Sequence, residues 1–500
     1  MESILQLEEV YQWAIIITLG CIYGGLIGLV PSAGAGKAIL LLFGVVSFFD
    51  GAEYLFVLFS MATVVSCSIG DSYASVLLGV PGANGTAATM VDGYPLAKKG
   101  KASYALSSAL FTSTMNGLLF GLLGFSFFPL YMQINDAVRT PELVGILFLS
   151  FCLVAVITSK YTVRSIVAIL FGCWLSQIGL DSDSNVTSFT FGWTYLNDGV
   201  KLVIVGVGLF VIPEMIETLI AKYEFKRIET KEHNKQTWEG IVDVWKYKWT
   251  AMIGGWVGFI GGIMPGGGGG TGDWMSYSIT RSIHKTEKFG NGNIKGVIGS
   301  EGANNAGKIG ALLPTLFFGI PGNKMYAYLA ALWVYLGFDV GTTDLLEDQQ
   351  FFETIFWGYI LGTILSGIVL IWCARYLSKI LYINPYWWIV PLTALTIWTA
   401  LSYSGWITWQ EDLLMMFILS IIGWGMRTYK FSRPAFILSF IIYDQFISGI
   451  EKLQGMYFYN NKYLSNDIWL NHPTLSICII VGVGIVLFGL LNKSARIDYA

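Results

Sequence analysis

Residues 263–274 have the sequence IMPGGGGGTGDW, in which a proline and five consecutive glycines follow a strongly apolar stretch, AMIGGWVGFIGG (251–262). In a soluble enzyme such a glycine run would be typical of a phosphate-binding loop. In a membrane protein it would place unpaired backbone groups at the depth of the lipid. The composition of the whole chain decides between these two interpretations.

The composition favours a membrane protein. Of the 500 residues, 54% are hydrophobic and only 13% are charged, whereas soluble domains have about 25% charged residues. Apolar runs close to the roughly 20 residues that cross a bilayer recur along the chain, and we count about ten to twelve of them. We therefore predict an all-α polytopic membrane protein, in which the first span is retained because no basic segment precedes it.

Two other classes of protein are disfavoured. The net charge of −3 gives no basic surface of the kind that nucleic-acid binding requires. The six cysteines are scattered through apolar segments without CxxC spacing, so we expect packing residues and neither a metal site nor a disulfide framework.

Loop charges orient the spans through the positive-inside rule. The longest polar loop, residues 221–249, is rich in Lys and Arg, and we place it in the cytoplasm. The loops LDSDSNVTSF (180–189) and YSGWITWQED (403–412) contain neither Lys nor Arg, and we place them on the opposite side.

The chain contains two copies of one pattern. In each copy three glycines spaced four apart precede a proline, and each of these residues in the first copy is separated from its counterpart in the second by the same number of residues. They are Gly20, Gly24 and Gly28 before Pro31, and Gly254, Gly258 and Gly262 before Pro265. Further on, LLGVPGAN (77–84) matches FFGIPGNK (317–324) at a slightly larger offset. Each glycine string alone is also explained by close helix packing in lipid.

The two copies carry opposite loop charge, since FFDGAE (48–53) in the first is acidic and RSIHKTEK (281–288) in the second is basic. By the positive-inside rule one copy is then upside down relative to the other. We predict a first inverted repeat in residues 1–130, connecting helices and a basic loop in 131–249, a second inverted repeat in 250–340, and C-terminal helices in 341–500. Residues 15–125 and 250–340 should superpose by rotation about an axis in the membrane plane.

Inverted repeats with Pro/Gly-broken or re-entrant helices in matching positions are typical of secondary transporters. Irregular backbone is tolerated at membrane depth where it lines a cavity, and the helix after each break offers free N–H groups to an anion. The phosphate-loop alternative rests on GANNAGKI (302–309), in which Ile309 stands where a Ser or Thr must bind magnesium. We therefore expect the glycine runs to line a central site.

Two long motifs resemble the signature regions of the large membrane subunit of tripartite tricarboxylate transporters, the TctA type. They are VPGANGTAATMVDGYPLAKKGKASYAL (80–106) and FGNGNIKGVIGSEGANNAGKIGALLPTLFFGIPG (289–322), and FTFGWTYLNDGV (189–200) is similar to the sequence between them. The resemblance covers roughly residues 15–340.

The resemblance implies a solute carrier in the cytoplasmic (inner) membrane, driven by an ion gradient without ATP. It also implies a smaller four-span membrane subunit and an extracytoplasmic solute-binding protein that delivers small carboxylates. No enzyme activity and no cofactor is implied beyond a coupling Na⁺ or H⁺.

Substrate-site residues carried over by the resemblance lie in both repeats. In the first repeat they are Pro31, Gly34, Gly36, Ser75, Pro81, Gly82, Thr86 and Thr89. In the second they are Pro265, Gly266, Gly268, Ser276, Pro321 and Gly322, to which we add Lys308 from its neighbours. A large side chain at Gly82 or Gly268 should abolish transport.

Buried acids in a membrane mark ion pathways, and the acids of the two repeats are predicted ion-coupling residues together with two asparagines. They are Glu301, Asp71, Asp273, Asp92, Asn304 and Asn305. In the spacing E-x-x-N-N the three polar groups share one helix face, so their oxygens should converge on one cation. The alternative is a hydrogen-bonded cluster without an ion. Asp92 has the alternative of capping a turn, and Lys308 that of reaching an interface.

The chain departs from the family pattern at four positions. Gly79 stands for the usual Asn, and charged residues occupy positions that are ordinarily small or apolar, namely Asp71, Asp273 and Lys308. Two rival functions stay open. A passive anion channel could use the same helix ends, and an intramembrane enzyme would need a nucleophile or metal cluster, whereas the three histidines lie in or beside polar loops.

Overall fold

The computed structural model describes residues 8–491 with several gaps. The gaps are 31–32, 84, 129–139, 158–160, 181–186, 214, 217–232, 264–269, 320, 342–344, 346, 375, 377–389, 392–393, 395–396, 399, 402–406 and 459–471.

The first nine helices, in chain order, are α1 (Glu9–Gly28), α2 (Gly34–Leu42), α3 (Glu53–Gly70), α4 (Thr86–Leu96), α5 (Ala102–Ser126), α6 (Thr140–Ile157), α7 (Thr162–Ser176), α8 (Leu202–Gly206) and α9 (His233–Lys246). The next eight are α10 (Lys248–Ile263), α11 (Thr271–Ile283), α12 (Ile294–Phe318), α13 (Lys324–Tyr335), α14 (Gln349–Trp372), α15 (Trp409–Thr428), α16 (Arg433–Phe458) and α17 (Pro473–Leu491). In the described part of the chain the sheet structure is limited to β1 (Gly179–Leu180) paired antiparallel with β2 (Thr187–Ser188).

The fold is the predicted all-α membrane architecture. Within the described ranges, five helical stretches are long and apolar enough to cross a membrane: Glu9–Gly28, Glu53–Leu78, Thr86–Ser126, Gln349–Trp372 and Pro473–Leu490. Shorter apolar helices accompany them, and the count of ten to twelve spans stays a prediction. The boundaries at 130, 249 and 340 likewise stay predictions.

The glycine string of α1 packs on α3. A Cβ atom at Gly20, Gly24 or Gly28 would lie 2.4–2.6 Å from the carbonyl oxygens of Phe59, Thr63 and Cys67, respectively. Only a glycine permits this approach, because a real Cβ atom would overlap the backbone of the partner helix. The spacing of four therefore sets the register between the two helices.

The second copy repeats this contact residue by residue between α10 and α12. A Cβ atom at Gly254, Gly258 or Gly262 would lie 2.2–2.5 Å from the carbonyl oxygens of Gly299, Ala303 and Gly307, respectively. The glycines of α1 and α10 are separated in the sequence by the offset of the two glycine strings. The residues that they contact on α3 and α12 are separated by the larger offset of LLGVPGAN and FFGIPGNK. The two strings thus pack helices in matching pairs.

Equivalent helices of the two copies run antiparallel to each other. Ser72 of the first copy contacts Glu301 of the second, and the carbonyl of Ser68, one turn earlier, contacts Asn304, one turn later. Helix α5 of the first copy also packs antiparallel to α14, which lies beyond residue 340, since the position at Gly117 faces Thr363, whereas Gly367 faces the earlier residue Thr114. Opposite direction is the relation that inverted repeats require.

A second group of helices packs beside the two copies. In it α6 contacts α17, and α7 contacts α16. At the α7–α16 contact a Cβ atom at Gly172 would lie 2.3 Å from the carbonyl oxygen of Phe436. A partly buried ion pair between Lys201 and Asp412 (3.0 Å) joins the start of α8 to α15. These helices frame the two copies and contribute none of the candidate site residues.

The helix α9 lies against the start of α5. Gly240 packs on Tyr104, Ser107 and Ser108, whereas Trp238 and Trp245 on its other side are 62% and 57% exposed. Exposed tryptophans on an amphipathic helix are typical of the membrane–water interface. The assignment of the basic loop 221–249, which contains this helix, to the cytoplasmic side stays a prediction.

Candidate functional site

Each copy contains a break in its long helix, and the two breaks have the same construction. The first break (residues 79–85) begins at Gly79, and the second break (residues 319–323) begins at Gly319. Both glycines have left-handed backbone angles, with φ 66° and 62°, a conformation that favours glycine. Each therefore ends its helix by reversing the chain.

After each reversal the chain returns along the helix it has left. The Gly82 N–H donates to the Ser75 hydroxyl (3.1 Å), and the Gly322 N–H donates to the Thr315 hydroxyl (3.3 Å). The donor follows its acceptor by seven positions in both cases. Ser75 and Thr315 thus satisfy backbone groups that would otherwise be unpaired at membrane depth.

The returning chain touches the helix backbone at Gly82 and Gly322. A Cβ atom at Gly82 would lie 2.0 Å from the carbonyl oxygen of Asp71, and one at Gly322 would lie 2.7 Å from Cα of Ala311. Neither position has space for a side chain. The glycines that the sequence predicts as site residues therefore form the tips of two tightly closed breaks.

Glu301 on α12 joins the two copies. Its Oε1 accepts hydrogen bonds from the hydroxyls of Ser72 (2.8 Å) and Thr89 (2.7 Å), which both belong to the first copy. Its Oε2 faces the amide of Asn304 at 3.3 Å, and the residue is 0% exposed. A carboxylate that accepts from three donors is well stabilised even when buried.

Asn304 extends this network to Asp71. Its Nδ2 donates to the carbonyl of Ser68 (2.9 Å) and lies 3.4 Å from Oδ1 of Asp71. Together Glu301, Asn304, Asp71, Ser72 and Thr89 form a buried polar group, which we call the Glu301 cluster. The structure thus brings together four predicted site residues and one, Ser72, that the sequence analysis missed.

Asp273 lies in the first turn of α11, directly after the glycine run. Its Oδ2 would be 2.2 Å from a Cβ atom at Gly85, the residue that precedes α4. The aspartate therefore occupies the space beside the start of the half-helix that follows the first break. Lys308 of α12 is half-buried and interacts electrostatically with both Asp273 and Asp71.

Asn305 does not join the Glu301 cluster, although the spacing predicts that it should. Its side chain packs on α5, where a Cβ atom at Gly117 would lie 3.1 Å from Cβ and 3.3 Å from Nδ2 of Asn305. The residue is 0% exposed, and neither amide atom has a hydrogen-bond partner in the described part of the chain. Its role in ion coupling stays a prediction without a shared site.

The first copy has an apolar residue in the equivalent contact. There Gly362 of α14 packs on Val65 of α3, and its Cβ position is 3.0 Å from Cγ2 of Val65. Val65 and Asn305 are separated by the same number of residues as Gly79 and Gly319, so they are equivalent positions of the two copies. A valine therefore fills this position without leaving polar atoms unpaired.

We predict that Asn305→Val increases the free energy of unfolding by about 1–3 kcal/mol, because it removes two buried polar atoms that lack partners. Thermal unfolding of the purified chain measures this change. Asn304→Val is the matched control and should lower the stability, since Asn304 makes three contacts. A weaker apparent affinity for the driving cation in folded Asn305→Val would instead favour the predicted ion-coupling role.

Asp92 has a complete set of hydrogen-bond donors. Its Oδ1 accepts from the backbone N–H groups of Gly290 (2.8 Å), Gly292 (2.9 Å) and Asn293 (2.9 Å). Its Oδ2 accepts from the hydroxyl of Tyr277 (2.9 Å). This geometry fits the alternative in which Asp92 holds a turn, here the loop 284–293 of the second copy.

Replacing this acceptor tests the structural alternative. We expect Asp92→Asn to lower the free energy of unfolding by about 1–3 kcal/mol, because the amide cannot accept at both positions and leaves buried donors unpaired. The loop 284–293 should become more accessible to protease. Asp50→Asn, at an exposed position, is the control. Unchanged stability together with altered cation dependence would contradict the structural interpretation.

The other predicted site residues lie around the first break or outside the described residues. Gly34 at the start of α2 packs on Ala83, with its Cβ position 3.0 Å from Cβ of Ala83, and Gly36 follows in the same turn. The Thr86 hydroxyl accepts from the Ala83 N–H (3.0 Å). Pro81 and Pro321 stand directly before the two tip glycines. Pro31, Pro265, Gly266 and Gly268 lie outside the described residues.

Ser276 of α11 belongs to the packing between helices. Its hydroxyl donates to the carbonyl of Gly299 on α12, and its Oγ would be 2.9 Å from a Cβ atom at Gly254 of α10. The side chain is fully buried. Ser276 therefore joins three helices of the second copy, and its predicted role in substrate binding stays a prediction.

Besides Ser72, a second hydroxyl group, that of Ser300, was not predicted from the sequence. Ser72 is adjacent to Asp71 in the sequence, and Ser300 is adjacent to Glu301 and lies 2.9 Å from the Thr89 hydroxyl. Proximity to a predicted acid was the available signal. Within the described residues, no group of three or more His, Cys, Asp and Glu side chains is arranged to hold a metal ion.

The chain is similar to one described family and to two proteins of Agrobacterium vitis. The family described as the tripartite tricarboxylate transporter TctA family matches residues 14–438. An uncharacterized 52.8 kDa protein in the TAR-I ttuC' 3' region of Agrobacterium vitis is 27% identical over 354 residues, which are 71% of this chain and 69% of that protein. An uncharacterized protein in the TAR-II ttuC' 3' region of the same organism is 32% identical over 111 residues, 22% of this chain and 44% of that protein.

No solved structure matches the chain significantly. The family match nevertheless extends over most of the chain, from α1 to α16. Since it includes both breaks and every member of the Glu301 cluster, this chain belongs to the tripartite tricarboxylate transporter TctA family.

Proposed function

We propose that this chain is the large permease subunit of an ion-gradient-driven secondary transporter that imports small carboxylates. The transporter depends on a solute-binding protein and works by alternating access across the cytoplasmic membrane. The observation that carries the proposal is the pair of matching breaks in two copies whose equivalent helices pack antiparallel, with the Glu301 cluster at the contact between the copies. A centre of this kind can be exposed to either side of the membrane by movement of one copy against the other.

The half-helices beside the breaks support binding of an anion. The helices α4 and α11 both begin next to Gly85 and Asp273, where the N-terminal N–H groups and helix dipoles favour negative charge. The Ser75 hydroxyl accepts from the Gly82 N–H and has its own proton to donate to a carboxylate, whereas the Thr86 and Thr89 hydroxyls donate to Ala83 and Glu301 and would have to exchange these partners. The substrate-binding roles of Ser75, Thr86 and Thr89 are part of this proposal.

A basic cavity supports an anion path on the predicted cytoplasmic side. It has a volume of about 780 Å³ and lies beside α11 and the loop 284–293. Its lining includes Arg281, Lys285 and Lys288, with Glu287 as the acidic member. A cavity with net positive charge raises the local concentration of anions.

The partners follow from the family, whose name describes a three-part transporter. We propose a small four-span membrane subunit and an extracytoplasmic binding protein as the other two parts. The coupling ion is Na⁺ or H⁺, and no other cofactor is proposed.

Counterflow distinguishes a carrier from a passive anion channel. Proteoliposomes that contain the three subunits are loaded with unlabelled citrate, and uptake of labelled citrate is followed, with other small di- and tricarboxylates tested in the same way. A carrier gives saturable uptake of label without net flux, because alternating access exchanges substrate one molecule at a time. Uptake that is linear in concentration and unaffected by internal citrate would contradict the proposal.

Ion-gradient dependence tests the energy source in the same vesicles. Uptake should rise when an inward Na⁺ or H⁺ gradient is imposed and disappear when the gradient is collapsed. Uptake that requires ATP, or chemical conversion of the carboxylate, would favour a different class of protein.

A further inference from the structure

Three charged residues of the two copies, Asp71, Asp273 and Lys308, approach one region of the structure. Asp273 of α11 and Lys308 of α12 each follow a glycine, Gly272 and Gly307, that packs on Gly258 of α10. Cβ atoms at Gly272 and Gly307 would lie 3.3 Å and 3.8 Å from Cα of Gly258. The shared contact holds α11 and α12 together where the two side chains begin.

Asp71 approaches the same region from the first copy. Its Oδ1 is 3.4 Å from Nδ2 of Asn304, which is one helical turn before Lys308. Residues four apart share a helix face, so Lys308 extends from the face that contacts Asp71. Electrostatic interactions of Lys308 with both Asp71 and Asp273 follow from this arrangement.

The charges of this group are not fully paired. Asp273 is 5% exposed, and its Oδ1 has no hydrogen-bond partner within the described residues. Asp71 is 1% exposed, and Asn304 is its only hydrogen-bond donor among the described side chains. The described residues give Lys308 no ion-pair partner within 4.0 Å.

A buried carboxylate keeps its charge only where hydrogen-bond donors or a nearby cation compensate it. Glu301 accepts from Ser72, Thr89 and Asn304, whereas among the described residues Asp71 has only the shared Asn304 amide and Oδ1 of Asp273 has no donor. Asp71 and Asp273 are therefore the acids that need further compensation. In an ion-coupled carrier a bound Na⁺ would supply the compensating positive charge. The neighbouring ammonium of Lys308, however, repels a Na⁺ ion at this position. The ammonium can instead supply the charge itself.

We propose that the Lys308 ammonium is a built-in counter-ion of Asp71 and Asp273 and takes the place that a coupling Na⁺ would have between them. This inference rests on the proposed function of the chain as an ion-coupled carrier. It makes Lys308 a determinant of ion specificity: the unaltered chain does not use Na⁺ at this position. Removal of the ammonium should leave two carboxylates that accept Na⁺.

Na⁺-dependent stability of the purified chain tests the proposal without a substrate. Thermal unfolding is measured in NaCl and in choline chloride at equal ionic strength for the unaltered chain, Lys308→Gln, Lys308→Arg and the double variant Lys308→Gln with Asp273→Asn. We expect a saturable Na⁺ response in Lys308→Gln, with an apparent affinity about tenfold or more above that of the unaltered chain. Lys308→Arg and the double variant should respond as the unaltered chain does.

A Na⁺ response of Lys308→Gln that equals that of the unaltered chain would overturn the proposal. Should Lys308→Gln fail to fold, binding of radioactive Na⁺ to the unaltered chain and to Asp273→Asn decides instead. Equal binding by the two supports the proposal, and loss of binding in Asp273→Asn overturns it. Failure of the proposed carrier function has a separate signature, the absence of citrate counterflow, which leaves the Na⁺ measurements unaffected.

Discussion

Gly82→Ala is expected to reduce carboxylate transport about 100-fold or more while the chain remains inserted in the membrane. The added Cβ atom would lie 2.0 Å from the carbonyl oxygen of Asp71, a distance that forces the break to move away from the helix. A displacement of about 1 Å in a binding site is sufficient for a loss of this size. Asp71, whose backbone is the obstacle, is also a member of the Glu301 cluster.

The measurement is citrate counterflow in proteoliposomes, with insertion and thermal stability determined on the same preparation. Gly425→Ala in α15 is the matched control. It also adds one methyl group, but the added Cβ atom would have no other atom within 4 Å. Gly322→Ala should behave like Gly82→Ala, because its Cβ atom would lie 2.7 Å from Cα of Ala311. Normal transport by Gly82→Ala would show that the break tolerates the shift and that Gly82 serves packing alone.

Glu301→Ala is expected to abolish transport and to lower the free energy of unfolding by about 1–3 kcal/mol, because buried donors without partners cost free energy of this order. The substitution removes the acceptor for the hydroxyls of Ser72 and Thr89. Because these donors belong to the first copy and Glu301 to the second, the loss also loosens the contact between the copies. Both effects follow from one carboxylate.

Glu301→Gln separates the two effects. The amide oxygen can still accept from both hydroxyls, so the loss of stability should be smaller than in Glu301→Ala, whereas transport should still fall because the negative charge is gone. Glu353→Gln is the control, since this carboxylate is exposed on α14 and accepts a hydrogen bond from the exposed Gln349. A substitution at such a surface position changes stability little. Normal transport by folded Glu301→Gln would exclude a role for the charge.

The spacing of glycines was sufficient to predict the packing of the helices. Gly24 and Gly258, which are equivalent in the two copies, contact Thr63 and Ala303, respectively, which are also equivalent. Such contacts are predictable because a close approach of two helices requires small residues once per turn. The two breaks were predictable for a similar local reason, since Gly79 and Gly319 adopt backbone angles that few other residues adopt.

The spacing of polar residues was a weaker guide. Glu301 and Asn304 meet as the helical spacing predicts, but Asn305 faces Gly117 of α5. Adjacent helix positions point about 100° apart, so Asn304 and Asn305 meet different neighbouring helices. Which neighbouring helix each asparagine contacts depends on how the helices are arranged around α12. The spacing of residues along the chain does not specify that arrangement.

The sequence by itself determined that this protein is an all-α membrane protein, that its chain carries two copies of one glycine pattern with matching breaks, and that it resembles the TctA family. These properties depend on composition and on the spacing of residues within each copy. Only the tertiary structure decided which groups meet at the centre. Ser72 and Thr89 lie 229 and 212 residues from Glu301, and Asp92 lies 200 residues from Gly292 in the loop it holds. Such pairs form because equivalent helices of the two copies pack antiparallel, and the direction of that packing is a property of the whole assembly of helices.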